Sequence, residues 1–165
     1  MSVYSEYTAD EQQLLRASLE AAAVAVSAAS PGRKEETVSE GYAAASLVLG
    51  SRAAYVANSL VSSVIVELEA RVRAEQPFPD YLKVASASGA REWAMDTLRS
   101  VVALLDAKAT PDEAAGYKAW LQHIALTTAE AGKEDQGFLG TGGVQVNAAE
   151  RVALQEIGEV LGTDS

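Results

Sequence analysis

Apolar residues recur at helical spacing over most of the chain, and capping residues, glycine and proline mark where the helices begin and end. The capping box at residues 8–11 predicts a first helix that runs to about Ala29. After a turn at residues 30–34, a second helix begins near Glu35. Residues 52–74 form the most apolar segment, and this pattern predicts a third, long helix.

The second half of the chain continues the helical pattern. The sequence Pro-Phe-Pro at residues 77–79 predicts an extended linker, and residues 80–86 predict a short helix capped by aspartate. A fourth long helix is predicted over 88–107. The Thr-Pro-Asp-Glu capping box that starts at residue 110 predicts a fifth helix to about Lys133, and residues 147–162 predict a final helix that ends at a glycine.

Helices joined by short connections, with no convincing strand pattern, predict an all-α fold. We expect an antiparallel helical bundle of about four main helices plus short accessory helices. A chain of 165 residues fits one domain, so residues 1–165 are predicted to form a single helical domain.

The apolar segment 52–74 allows two interpretations. Its valine, leucine and isoleucine side chains alternate with alanine and serine, and small residues allow helices to approach closely. Such a helix is either the centre of a monomer or an interface between subunits. The pattern leaves both possibilities open.

Composition and charge exclude several classes of function. The chain has no cysteine, which excludes disulfides, thiolate metal sites and cysteine nucleophiles. The formal net charge of −10 is spread along the chain and disfavours nucleic acid and anionic lipid as partners. The best membrane candidate, residues 14–29, contains Arg16 and Glu20, so no membrane partner is expected. Residues 1–7 lack the pattern of a secretory signal, and we expect a cytoplasmic protein.

Candidate catalytic chemistry is sparse. A di-iron site in a helical bundle needs Glu-x-x-His pairs, but His123 is the single histidine and no such pair occurs, so neither a metal nor another cofactor is expected. His123 is expected to be hydrogen-bonded and partly buried. The carboxylate pairs at residues 92 and 96 and at 67 and 69 are interpreted as solvated surface groups. No serine-nucleophile motif appears, so no catalytic residue is predicted.

The glycine-rich connection 136–146 is the clearest interruption of the helical pattern. It matches neither a phosphate-binding loop nor a dinucleotide fingerprint. It is expected either to cover one end of the bundle as a structural lid or to bind an anion through its amides. The binding hypothesis groups candidates that lie in this connection or on the helix before it: Tyr117, His123, Lys133, Gly142 and Gly143.

Residues 119–157 contain the sequence Lys-Glu-x-x-Gly-Phe-Leu-Gly-x-Gly-Gly-Val, followed by a helix cap. This segment resembles the C-terminal part of small uncharacterised all-helical proteins of bacteria. Gln136 and Thr141 stand where that pattern has a further glycine and an aromatic residue. The resemblance implies a bacterial, cytoplasmic protein and implies no activity.

Two functional hypotheses follow. The first is a non-enzymatic helical-bundle protein that acts through self-assembly or partner binding, most simply as a homodimer through residues 52–74. The second is a small-molecule-binding protein or enzyme with a pocket near residues 136–146.

Overall fold

A computed structural model of the chain describes residues 2–29, 46–76, 87–131, 146 and 148–163. These residues are helical or form turns, with no strand among them, which confirms the all-α prediction. None of the described helices is both long and apolar enough to cross a membrane. The helices of more than two turns are α1 (Ala9–Ser27), α2 (Ser59–Arg73), α3 (Ala87–Lys108), α4 (Pro111–Ala131) and α5 (Ala148–Leu161).

The two capping boxes predicted from the sequence are confirmed. At the start of α1, the Thr8 hydroxyl accepts from the Glu11 amide at 3.3 Å, and the Glu11 carboxylate accepts from the Thr8 amide at 2.8 Å. At the start of α4, Thr110 and Glu113 make the same reciprocal pair of bonds. Each pair satisfies amides that have no partner inside the helix, and so fixes where the helix begins.

The predicted helix over residues 52–74 begins later than expected. Ser51–Ala53 form a 3₁₀ turn, and α2 starts only at Ser59. The reason is local, because the Asn58 side chain accepts a hydrogen bond from the Val61 amide at 3.0 Å and thereby caps the helix. Arg52 to Ala57 therefore form turns and do not extend α2.

The other predicted boundaries agree with the structure within a few residues. The fourth predicted helix corresponds to α3, and the last helix ends before Gly162, which has a left-handed φ of 68° that glycine adopts without strain. Residues 46–50 are helical. The predicted start near Glu35, the linker and short helix at 77–86, and positions 136–145 of the glycine-rich connection lie outside the described residues.

Helices α1, α3, α4 and α5 contact one another in every pairwise combination, and α2 packs against α4. Their common centre is filled by aliphatic and aromatic side chains that water does not reach. The antiparallel order of a four-helix bundle stays a prediction. The largest fully buried side chains are Trp120, Tyr117, Leu15, Leu60, Ile65, Leu98, Leu105, Leu121, Ile124, Ile157, Leu161 and Val26.

The apolar stripe of α2 belongs to this core. Leu60, Val64 and Ile65 are fully buried within one chain, as the monomer-core interpretation of residues 52–74 requires. Val56 and Val66 of the same segment are exposed. The segment therefore has a buried side that stabilises the monomer and an outward side that carries apolar residues.

Candidate functional site

Two of the five predicted binding residues lie in the described part of the chain. Tyr117 and His123 both lie on α4, but Tyr117 is fully buried and His123 is exposed. The remaining candidates, Lys133, Gly142 and Gly143, lie outside the described residues. The described part of the chain therefore contains no pocket assembled from this set.

The expectation that His123 is partly buried is wrong. The buried stripe of α4 includes Trp120, Ile124 and Thr128, which recur every four residues and face the core. His123 falls on the opposite side with Leu126, which is also exposed. Its place in the helical repeat explains its exposure to solvent.

Tyr117 is a packing residue whose polar end is satisfied by the core. Its hydroxyl donates to the Leu15 carbonyl of α1 at 2.9 Å and lies 3.3 Å from the Ser18 hydroxyl oxygen. Its ring meets the Trp120 ring edge to face, with centroids 5.5 Å apart. Burial raises the pKa of the Tyr117 hydroxyl, so the group stays neutral and joins α4 to α1.

A polar cluster surrounds Glu113, in the first turn of α4. Its side chain is buried, with the residue only 7% exposed. Oxygen Oε1 accepts from the Ser2 amide at 2.7 Å and lies 2.5 Å from the Ser59 hydroxyl oxygen. Oxygen Oε2 accepts from the Thr110 hydroxyl at 2.8 Å and from the Thr110 amide at 3.2 Å. One carboxylate thus connects the N-terminal segment, α2 and α4.

These hydrogen bonds determine the charge state of Glu113. Burial alone raises the pKa of the carboxyl, but the bonds from Ser59, Ser2 and Thr110 favour the ionised form and lower the pKa to about 2. A carboxylate that is ionised at neutral pH and saturated with donors is a poor general acid or base. The geometry indicates a structural role for Glu113.

Asn58 and Gly116 complete the junction between α2 and α4. The Asn58 amide nitrogen Nδ2 donates to the Glu113 carbonyl at 3.1 Å, while its oxygen caps α2. Gly116 lies directly beneath, and a Cβ atom there would overlap Nδ2. Glycine at this position lets the start of α2 approach α4 closely.

Sequence reasoning found part of this cluster. The capping box signalled Thr110 and Glu113, because both partners lie within one helical turn. It missed Ser2 and Ser59, which are 111 and 54 residues away from Glu113 along the chain. No local pattern reports such pairings.

Three of the four carboxylates expected at the surface pair with arginines, and the fourth, Glu92, is exposed. Glu67 bonds to Arg71 at 2.6 Å, and Asp96 bonds to Arg99 at 2.7 Å. Glu69 lies 3.2 Å from Arg52. Within the described ranges no three histidine, aspartate or glutamate side chains gather in a way that could hold a metal ion.

Two open grooves lie on the described surface. The first, of about 620 Å³, has an apolar base at Met95 and Val160 between α3 and α5, and it is crossed by the ion pair of Arg91 and Glu156. The second, of about 600 Å³, lies between α3, α4 and the end of α5, and four of its lining residues are alanines. Neither Tyr117 nor His123, the two predicted binding residues that the structure describes, lines either groove. Both grooves are open surface features. The first is lined by five charged residues, two of which form the ion pair just named: Arg91, Glu92, Arg99, Glu156 and Glu159.

Comparisons of the chain with protein-family models, with curated proteins and with solved structures found no match. The functional argument therefore depends on the chain's own surface, charge and hydrogen bonds.

Proposed function

We propose that this chain is a non-enzymatic helical domain that acts through self-assembly, with a second copy of itself as the partner. The contact surface is the outward side of residues 52–74. Its centre is the α2 outer face, which consists of Val66, Ala70 and Arg73. These residues lie one turn apart on the same side of the helix, and all three are exposed.

The observation that supports this surface is the position of the exposed apolar side chains. Val66, on the α2 outer face, is 45% exposed, and Val56, in the turn before α2, is 78% exposed. Val72 is 43% exposed, but it follows the buried Leu68 by four residues and therefore extends the buried side of α2 at its end. Scattered exposed valines are ordinary, but a concentration in one segment favours a contact surface. The other large apolar residues exposed in the described regions, Leu126 and Val152, lie on α4 and α5.

Charge favours a second copy as the occupant of this surface. The chain carries −10 overall, so two copies repel one another over most orientations. Residues 52–74 contain three arginines and two glutamates, a net charge of +1. These charges already pair within each copy, Arg52 and Arg73 with Glu69 and Arg71 with Glu67. Two copies that meet through this segment therefore bring together a surface that lacks the net negative charge of the rest of the chain.

The buried polar groups support a non-enzymatic role. Glu113 and Tyr117 use their polar atoms to join helices, and the Thr128 hydroxyl donates to the Ile124 carbonyl at 2.8 Å. Groups held in this way contribute to folding rather than to catalysis. The proposal includes a cytoplasmic location in a bacterium, on the resemblance of residues 119–157, and the acidic charge argues against nucleic acid as a partner.

The test changes one exposed valine on each of two helices. Val66→Asp places a charge on the α2 outer face, and Val152→Asp does the same on α5, where the valine is 52% exposed. Sedimentation velocity over a range of protein concentrations should show a dimer for wild type and for Val152→Asp, and a folded monomer for Val66→Asp. A wild-type protein that stays monomeric, or equal dissociation by both variants, would refute the proposal.

A further inference from the structure

Segment 2–7 lies against α2 and ties it to α1. The Tyr4 amide donates to the Ser63 hydroxyl at 2.9 Å, which attaches this segment to α2. The Gln12 side chain of α1 donates to the carbonyl oxygens of Tyr4 and Tyr7 at 3.2 and 2.9 Å. We call residues 2–7 the strap, because they bridge the two helices through their backbone.

The strap and α2 meet α4 at one buried group. The Ser2 amide and the Ser59 hydroxyl both bond to Oε1 of Glu113, at 2.7 and 2.5 Å. Ser59 Oγ also lies 3.0 Å from the Ser2 carbonyl oxygen. Ser59 and Ser63 are four residues apart, so the strap follows one side of α2. Removal of the carboxylate leaves the buried Ser2 amide without its acceptor and removes one of the two acceptors near the Ser59 hydroxyl.

The other helices do not depend on the Glu113 hydrogen bonds for their packing. Helices α1, α3, α4 and α5 contact one another in every combination, whereas the most extensive helix contact of α2 in the described structure is with α4. Segments with fewer contacts to the main core open separately from it in many proteins. Glu113 is the group through which both the strap and α2 join α4, whereas the Gln12 bonds attach the strap alone to α1.

We infer that the strap and α2 form a unit that opens separately from the other helices, and that the Glu113 carboxylate is the latch that holds this unit closed. Opening exposes the buried side of α2, including Leu60 and Ile65, together with the Trp120 ring on α4. The ring of Tyr55, just before α2, lies 5.9 Å from that of Trp120 and moves away with the unit. Because these contacts lie within one chain, the latch does not depend on whether the protein is a monomer or a dimer.

Hydrogen exchange on the full-length protein at neutral pH, read by mass spectrometry, tests the latch. Glu113→Gln keeps the size of the side chain but removes its charge and one acceptor oxygen. We expect amides of residues 2–8 and of α2 to exchange about tenfold faster or more, since a hydrogen bond to a charged group contributes at least that factor. Amides in α3 and α5 should exchange at the wild-type rate.

Two further variants keep the test decisive. Asp112→Asn changes the exposed neighbouring carboxylate and should leave every segment unchanged. Ser59→Ala removes the α2 hydroxyl alone. If Glu113→Gln does not fold, this variant takes its place, and we expect faster exchange in residues 2–8 and α2 by a smaller factor. Equal acceleration in α2, α3 and α5, or no acceleration in α2, would overturn the latch. The expected effect is the same at all protein concentrations, whereas an effect of dimer dissociation depends on concentration.

Discussion

At the scale of single residues, the junction between α2 and α4 depends on a few atoms held at short distances. Asn58 is fixed at both ends of its amide group, with Oδ1 on the Val61 amide and Nδ2 on the Glu113 carbonyl. Gly116 leaves the space that Asn58 occupies. Because Asn58 cannot move without breaking one of these bonds, a larger side chain at position 116 has no space.

Gly116→Ala should destabilise the protein although alanine favours helices. Overpacking costs about 1–3 kcal/mol, while the gain in helix propensity is about 1 kcal/mol. We expect a net loss of roughly 1 kcal/mol in urea unfolding, from the balance of these two effects. Gly50→Ala is the control, since no atom of the described residues lies within 4 Å of a Cβ there. A Gly116→Ala protein as stable as the control variant would contradict the described packing.

Glu113 should make stability depend on pH in acid solution. Its pKa is about 2 in the folded protein, below the ordinary value of 4.5. The ionised carboxylate therefore stabilises the fold above about pH 4.5, and this contribution is lost as the pH falls towards about 2. The pKa of Glu11 is also lowered, through its bond to Lys108. Because Glu11 is present in both the wild type and a Glu113 variant, its contribution cancels when their stabilities are compared.

The measurement is the difference in unfolding free energy between wild type and Glu113→Gln, from neutral pH down to about pH 3. We expect about 1.5–3 kcal/mol at neutral pH, with a steady decrease below about pH 4.5. A difference that does not change with pH would show that the carboxylate charge plays no part in holding the junction.

At the scale of helices, the predictions that succeeded depend on patterns confined to one turn. The boxes at Thr8 and Thr110 place the starts of α1 and α4 correctly, because the side chain and the amide that it caps are three residues apart. The start of α2 was predicted seven residues too early. Arg52 to Ala57 suit a helix by composition, but the cap at Asn58 sets the start of α2, and tertiary contacts with Gly116 and Glu113 hold that asparagine.

Asn58→Ala and Thr8→Ala separate a cap with tertiary contacts from a cap without them. Loss of the Thr8 cap should cost about 1 kcal/mol. Loss of Asn58 removes a cap and the bond to the Glu113 carbonyl, so its cost should be about 2–3 kcal/mol. Chemical unfolding of both variants gives the comparison, and an equal cost would show that the bond to Glu113 adds nothing.

At the scale of the whole molecule, the all-α class and the burial of the apolar stripe of α2 follow from hydrophobic periodicity. The pairing of the helices does not follow from this periodicity, because contacts such as that of Ser2 with Glu113 join distant parts of the chain. The binding candidates could not be tested as one site, since Lys133, Gly142 and Gly143 lie outside the described residues. The expectation for His123 was wrong because it did not use the apolar repeat through Trp120 and Ile124, which places residue 123 away from the buried face.

The central claim is that two copies meet through the outward side of α2. The chain has no cysteine, so Val66→Cys and Val152→Cys each provide one unique site for a spin label. Pulsed dipolar spectroscopy between labelled copies then reports whether the two labels lie close together. We expect a well-defined short distance for residue 66 on α2 and a longer one, or none, for residue 152 on α5. Absence of coupling at residue 66, or the shorter distance at residue 152, would contradict the assembly proposed here.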